Sequence, residues 1–387
     1  MKNSNKLLSL EGLRGVASFI VLLSHIQLIF FIDIDDKLLN YYTGKFPYFI
    51  TQGLNYIFRA LHDGNFSVWL FWVMSGFVLS IGYFKKKEIS QTKSYILASS
   101  IKRYFRLVIP VFLSVMFAYF LLTNDMMTNK YLSEKLENPW LNTFYTFDAS
   151  FYNAIKSSLY DTFFNFDRLS SYNTVLWTME KEFYGSLFIF ALLSIVGYTK
   201  IRYIIYPFVT IILYTLNIHW LNSFIFGMIL CDLYINTQIY HSTTKLLQKR
   251  FINLLIIIIF LVLIGMQNYY GIFHLILATL LVFFIISSSN MNKFFSSKIL
   301  VSLGKISFSL YLIHLPILCS ITGMLYKFFE KIYSHNITII ISSILTIVIS
   351  LLLAILLNKL GDNTGINLGK KISLWIQEID KNKQQKL

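Results

Sequence analysis

Ten runs of mostly apolar residues follow one another along this chain, near 12–31, 66–84, 104–123, 174–196, 203–217, 219–236, 252–267, 272–290, 306–326 and 337–357. Crossing about 30 Å of hydrocarbon takes on the order of 20 such residues, fewer when the flanking side chains snorkel. A chain with this pattern has little choice of fold. In a bilayer every backbone N–H and C=O has to be satisfied internally, which for segments of this length and spacing means helices. The expectation is an all-α protein, a polytopic membrane helical bundle of about ten transmembrane helices. Composition points the same way, because 56% of the residues are hydrophobic and only 14% are charged, far from the balance of a soluble domain.

A net charge of +15 raises the question of nucleic acid. The basic residues, however, sit between the apolar runs and form no patch of a soluble DNA- or RNA-binding pattern, so no nucleic-acid partner is expected. The positive-inside rule accounts for them. Lys85, Lys86, Lys87, Lys93, Lys102, Arg103 and Arg106, then Lys200 and Arg202, then Lys245, Lys249 and Arg250, then Lys293, Lys298 and Lys305 all fall on one side if the number of spans is even. Both termini are then cytoplasmic. Lys2 and Lys6 precede the first run as in a signal peptide, but no small-residue cleavage site follows "LIFFIDIDD", so the first span is expected to be retained. Residues 1–360 read as one membrane domain and 361–387 as a basic cytoplasmic tail, whose "GKKISLWIQEIDKNKQQKL" alternates apolar and basic residues as a helix lying on the inner membrane surface would. The outer side is left with short turns and two long segments, 32–65 and 124–173, rich enough in Asp, Asn, Tyr and Trp to roof an acceptor site. Cys231 and Cys319 lie inside apolar runs and suggest no disulfide framework.

Polar residues inside the runs carry the functional reading, since each costs roughly 2.5–3.5 kcal/mol on insertion scales unless paired or wet. In "LEGLRGVASFIVLLSHI" Arg14 and His25 are eleven residues apart, about three turns, and so share one helix face roughly 16 Å apart. Glu182, in the oppositely directed fourth span, reaches a similar depth to His25, and a carboxylate beside an imidazole would fix its tautomer and raise its basicity. Glu180 lies about 200° round the same helix, so only one of the two acids can face that cavity. His314 in "SFSLYLIHLPIL" is followed by Pro316, whose kink frees a carbonyl that could be the imidazole's only partner. Ser75 and Gly76 in "FWVMSGFVLS" let a helix or a substrate approach the backbone, close packing being the commoner reason. Arg103 and Arg106 share a face in "IKRYFRLVIP", placed either to anchor the span or to clamp phosphates. No metal-ligand spacing, phosphate-binding loop or nucleophile elbow occurs, so no metal is expected.

Five stretches taken together, "LEGLRGVASFIVLLSH", "FWVMSGFVLS", "IKRYFRLVIP", "LWTMEKEFYGS" and "LGKISFSLYLIHLPIL", resemble the acyltransferase 3 family of integral-membrane acyltransferases, over residues 10–318. The chain is similar to the stand-alone form, without the soluble esterase-like domain that some members carry. The resemblance implies an O-acyltransferase of the cell membrane, multi-pass and in the bacterial cytoplasmic (inner) membrane. It would move an acyl group, often acetyl, from cytoplasmic acyl-CoA to a hydroxyl of a cell-surface or exported carbohydrate, with no permanently bound cofactor. The family's Arg and His fall on Arg14 and His25, its span-four acid on Glu182, and its span-three basic pair on the donor-binding Arg103 and Arg106. His25 is expected to act as base by direct transfer, although an acyl-histidine intermediate fits the residues too. Ser75, Trp177 and His314 are candidates for a substrate channel. "MEKEF" departs from the family pattern in its extra acid and its Lys, which leaves the role of Glu180 open. Ten spans with buried charges also suit a transporter or flippase of a lipid-linked sugar, which would leave its cargo chemically unchanged.

Overall fold

The computed structural model describes residues 2–32, 34–43, 45–85, 90–236, 246–266 and 271–384, and among these there are helices and turns but no strand. A helix stands at each apolar run. In chain order they are α1 (Lys2–Phe30), α2 (Gly64–Phe84), α3 (Ser90–Thr123), α4 (Trp177–Val196) and α5 (Arg202–Thr215), then α6 (His219–Asn236), α7 (Arg250–Gly265), α8 (Ile272–Ser287), α9 (Ser307–Cys319) and α10 (His335–Leu357). By length and apolarity four stretches suffice for a crossing on their own: Leu8–Phe30, Gly64–Phe84, Ile96–Thr123 and His335–Ile376. Two bent pairs raise that to six, α8 with Ser289–Phe295 at 97° and Lys298–Lys305 with α9 at 63°. The remaining helices fall short for physical reasons. At 14 and 16 residues α5 and α7 span only about 21 and 24 Å, and α4 carries Glu180, Lys181 and Glu182 in its first turns.

Small residues set the closest packing. A Cβ at Gly76 would strike the Phe224 backbone, and one at Gly227 would strike Val73, so α2 and α6 meet almost backbone to backbone. Gly15 and Gly304 do the same for α1 against Lys298–Lys305. This fixes the face of α1 that looks into the bundle.

The segment 124–173 is a packed cap. Its short helices Asn129–Lys135, Pro139–Thr143, Phe151–Lys156 and Thr162–Phe164 bury Leu132, Leu141 and Phe163 completely. Asn138 donates to the carbonyls of Leu28 (2.8 Å) and Ile29 (3.3 Å), satisfying orphan acceptors at the end of α1 and tying the cap to it. The tail helix Asn363–Gln384 runs on from α10 through the π-turn Asn358–Asp362, in which residue 360 lies. Gly365 brings it onto the Phe105 and Arg106 carbonyls of α3, and Gly369 onto Lys102, so the first turns of the tail are packed against the bundle. Lys86, Lys87, Lys245 and residues 385–387, which the charge pattern uses, lie outside the described residues.

Candidate active site

Three helices bring charge to one cavity. Arg103 and Arg106 come from α3, one turn apart, Glu182 from α4 and Arg14 from α1, with Ser75 and Trp72 of α2 and Tyr311 of α9 in the walls. The Glu182 carboxylate accepts from the Arg103 guanidinium and, at 2.6 Å, from the Ser75 hydroxyl. Ser75 and Gly76 thus divide their tasks, one reaching the acid and the other packing α6. Of the two acids in "MEKEF" it is Glu182 that faces the cavity, while Glu180 is not among its lining residues. Lys181 sits instead over the Trp177 ring at 4.3 Å. Trp177 stands edge-on to Trp72 at 6.0 Å, one layer behind the wall.

Arg14 and Arg106 line the same cavity, and among the described residues neither has a carboxylate within ion-pair distance. Glu11 lies only within longer electrostatic reach of Arg14, as does the buried Asp362 of the π-turn. The cavity therefore holds three guanidinium groups against one carboxylate in contact. An anion placed there would be held by the two that remain.

His25 lies three turns further along α1. The expected pairing of His25 with Glu182 is not formed. A carboxylate among apolar helices gains more from a contacting guanidinium than from a neutral imidazole, and Glu182 has turned to Arg103. The same contact means that Arg103 is not a free phosphate clamp. His25 meets His314 instead, with ring centroids 4.9 Å apart, nearly edge-on, and Trp140 of the cap 6.0 Å away on the other side.

The hydrogen bonds fix the tautomers. His314 Nδ1 donates to the Leu310 carbonyl at 3.1 Å, which leaves its Nε2 an acceptor aimed at His25 Nδ1 across 3.4 Å. His25 Nδ1 donates to the Val21 carbonyl at 2.9 Å, so the free lone pair of His25 is on Nε2. The carbonyl that Pro316 frees is that of Leu312, and it does not serve His314. It accepts from Asn173 Nδ2 (2.6 Å) and Ser114 Oγ (2.9 Å), which lock the kinked helix to α3 and the cap. Tyr311, fixed by bonds to Thr178 and the Val175 carbonyl, both 2.9 Å, lines the charged cavity and stands 5.9 Å from the His314 ring.

Trp140, Tyr311, Asn173 and Asp362 are the residues sequence reasoning missed. Only Trp140 left a signal, as an aromatic in the long, Asn-rich segment 124–173. Among the described residues no cluster of His, Cys, Asp or Glu is arranged to hold a metal ion.

A family model described as an acyltransferase domain matches residues 7–358, nearly the whole chain. No curated protein and no solved structure matches it.

Proposed function

The chain belongs to the acyltransferase 3 family, and from that premise we propose that it is a membrane O-acyltransferase taking an acyl group, acetyl in the simplest case, from cytoplasmic acyl-CoA to a hydroxyl of an exported or cell-surface carbohydrate. The ten helices make ten crossings in this reading, with both termini inside and a bacterial cytoplasmic membrane as the setting. Coenzyme A phosphates lie against Arg14 and Arg106. The roughly 16 Å of α1 between Arg14 and His25 is the distance the extended pantetheine arm has to cover.

At the far end the acceptor hydroxyl gives its proton to His25 Nε2 while its oxygen attacks the thioester carbonyl. The C–S bond then breaks, and the departing thiolate takes the proton back from the imidazolium. His314 steadies the imidazole through Nδ1, the orienting task that sequence reasoning gave to Glu182, and Glu182 holds Arg103 in the donor cavity. One observation carries the reading: a single face of α1 presents a cation to an anion-seeking cavity and, three turns on, an imidazole with an open lone pair.

The test is mass spectrometry of surface glycans from a deletion strain complemented with either the native chain or His25→Ala. The native chain should restore an acyl mass. His25→Ala, present in the membrane at similar abundance, should fail to, since general-base catalysis contributes about 10² to 10⁴-fold. Restoration of the acyl mass by His25→Ala at the native rate would contradict the proposal.

A further inference from the structure

On the other side of α1 lies a second, larger cavity that the acyl-transfer chemistry does not use. Val16 and Ile20 project into it from the side of the helix away from Arg14, and Leu70, Ile257, Phe260 and Ile264 continue its walls. A cavity of about 970 Å³ opens between α1, α2, α7 and the Ser289–Phe295 helix, bounded almost wholly by apolar side chains. It follows α7 from Arg250 to Ile264, about 21 Å, more than the roughly 15 Å of hydrocarbon in one leaflet.

Its charged lining residues are confined to one end. Arg250 and Lys293 line the mouth there, and among the described residues no acidic residue lines the cavity. Asn253, just inside, is 1% exposed, and neither its Oδ1 nor its Nδ2 has a hydrogen-bond partner. A buried amide left like this is costly, so the site lacks a polar ligand atom rather than a packing atom. The same end is the N-terminus of α7, where the cap residue Lys249 supplies no side-chain acceptor and the first turn holds no acid. Free N–H groups, a positive helix end and two cations therefore converge on one point beside the unsatisfied amide.

We propose that this cleft binds one anionic phospholipid, with the phosphodiester between Arg250, Lys293 and Asn253 and the acyl chains along Ile257, Phe260 and Ile264. The cationic mouth selects against a zwitterionic head group, and the length and apolarity of the cleft select a lipid over a soluble phosphate. Because its wall is the back of the helix that carries Arg14 and His25, the lipid is a structural neighbour of the donor site.

Native mass spectrometry of the purified full-length protein, titrated with phosphatidylglycerol and with phosphatidylcholine of the same chains, tests this. The native protein should bind one phosphatidylglycerol at least roughly tenfold more tightly than phosphatidylcholine, given two basic contacts near the head group. Arg250→Gln with Lys293→Gln, both on exposed residues, should abolish the preference and leave phosphatidylcholine binding unchanged, which also reports a folded protein. Ile257→Trp, which fills the cleft, should weaken the binding of both. Equal binding of the two lipids by the native protein, the behaviour of annular lipid only, would overturn the proposal. So would a preference that survives the double substitution.

Discussion

At one end of the inward face of α1, Arg14 looks into a cavity lined by two further guanidinium groups and a carboxylate, and at the other His25 stands beside a second imidazole. In the first region burial is tolerated because opposite charges touch: Arg103 meets Glu182, Ser75 adds a second bond to the same carboxylate, and Asp362 lies within reach of all three guanidinium groups. In the second, each imidazole gives its Nδ1 proton to the carbonyl four residues back, Val21 for His25 and Leu310 for His314, and the pair meets with no carboxylate in contact. Two guanidinium groups that have no carboxylate in contact, Arg14 and Arg106, are suited to holding an anion. An imidazole whose Nδ1 is held by a carbonyl and whose Nε2 lone pair is open is suited to accepting and returning a proton. The same helix therefore offers binding at one end and chemistry at the other, and the two can be broken separately.

The largest effect on the protein itself should come from the charged end. Glu182→Leu leaves Arg103 buried without its counter-ion, a change that typically costs about 3–5 kcal/mol. It should lower the thermal unfolding midpoint in detergent markedly. Arg103→Leu combined with Glu182→Leu should recover a large part of that loss, because both charges are gone. Additive losses in the double variant would mean that the two residues are not the coupled pair seen here.

A smaller effect, of a different kind, is expected at the neutral end. His314→Phe removes a polar group from an apolar site and should leave the midpoint near that of the native protein. It should slow turnover by roughly 10- to 100-fold, less than the about 10² to 10⁴-fold expected for loss of the base itself, since His25 then lacks the acceptor facing its Nδ1. His314→Asn, which keeps an acceptor on a shorter side chain, should recover part of the rate. A loss of stability as large as that of Glu182→Leu, with turnover preserved, would reverse the assignment of roles.

Much of this arrangement was legible from the sequence. The helices stand where the apolar runs are, and Arg14 and His25 share a face because eleven residues is close to three whole turns. The same periodicity said that only one of Glu180 and Glu182 could face a cavity, and it is Glu182 that does. What did not follow was partner choice. Depth arithmetic put His25 and Glu182 at one level, but depth says nothing about rotation or about competition, and a guanidinium outcompetes a neutral imidazole for a buried carboxylate. His314 offered no clue to its place beside His25, since that depends on the break at Ser320 and on Asn173 and Ser114 taking up the carbonyl freed by Pro316. Asp362 was hidden for a related reason: it falls in the tail read only as basic and cytoplasmic, and its place near the arginines depends on the packing of residues 363–369 onto α3, which the pattern does not carry.

The division between the two ends of α1 is tested most directly by donor affinity, measured by calorimetric titration of acetyl-CoA into the purified protein and into His25→Ala and Arg106→Gln. Arg106→Gln should weaken binding about tenfold or more, since charge-assisted contacts to phosphate contribute about 1.5–3 kcal/mol. His25→Ala should bind within about twofold of the native protein, because the general-base contribution enters the transition state and leaves ground-state binding alone. If His25→Ala lost donor binding while Arg106→Gln kept it, the binding end and the chemical end would have been assigned the wrong way round.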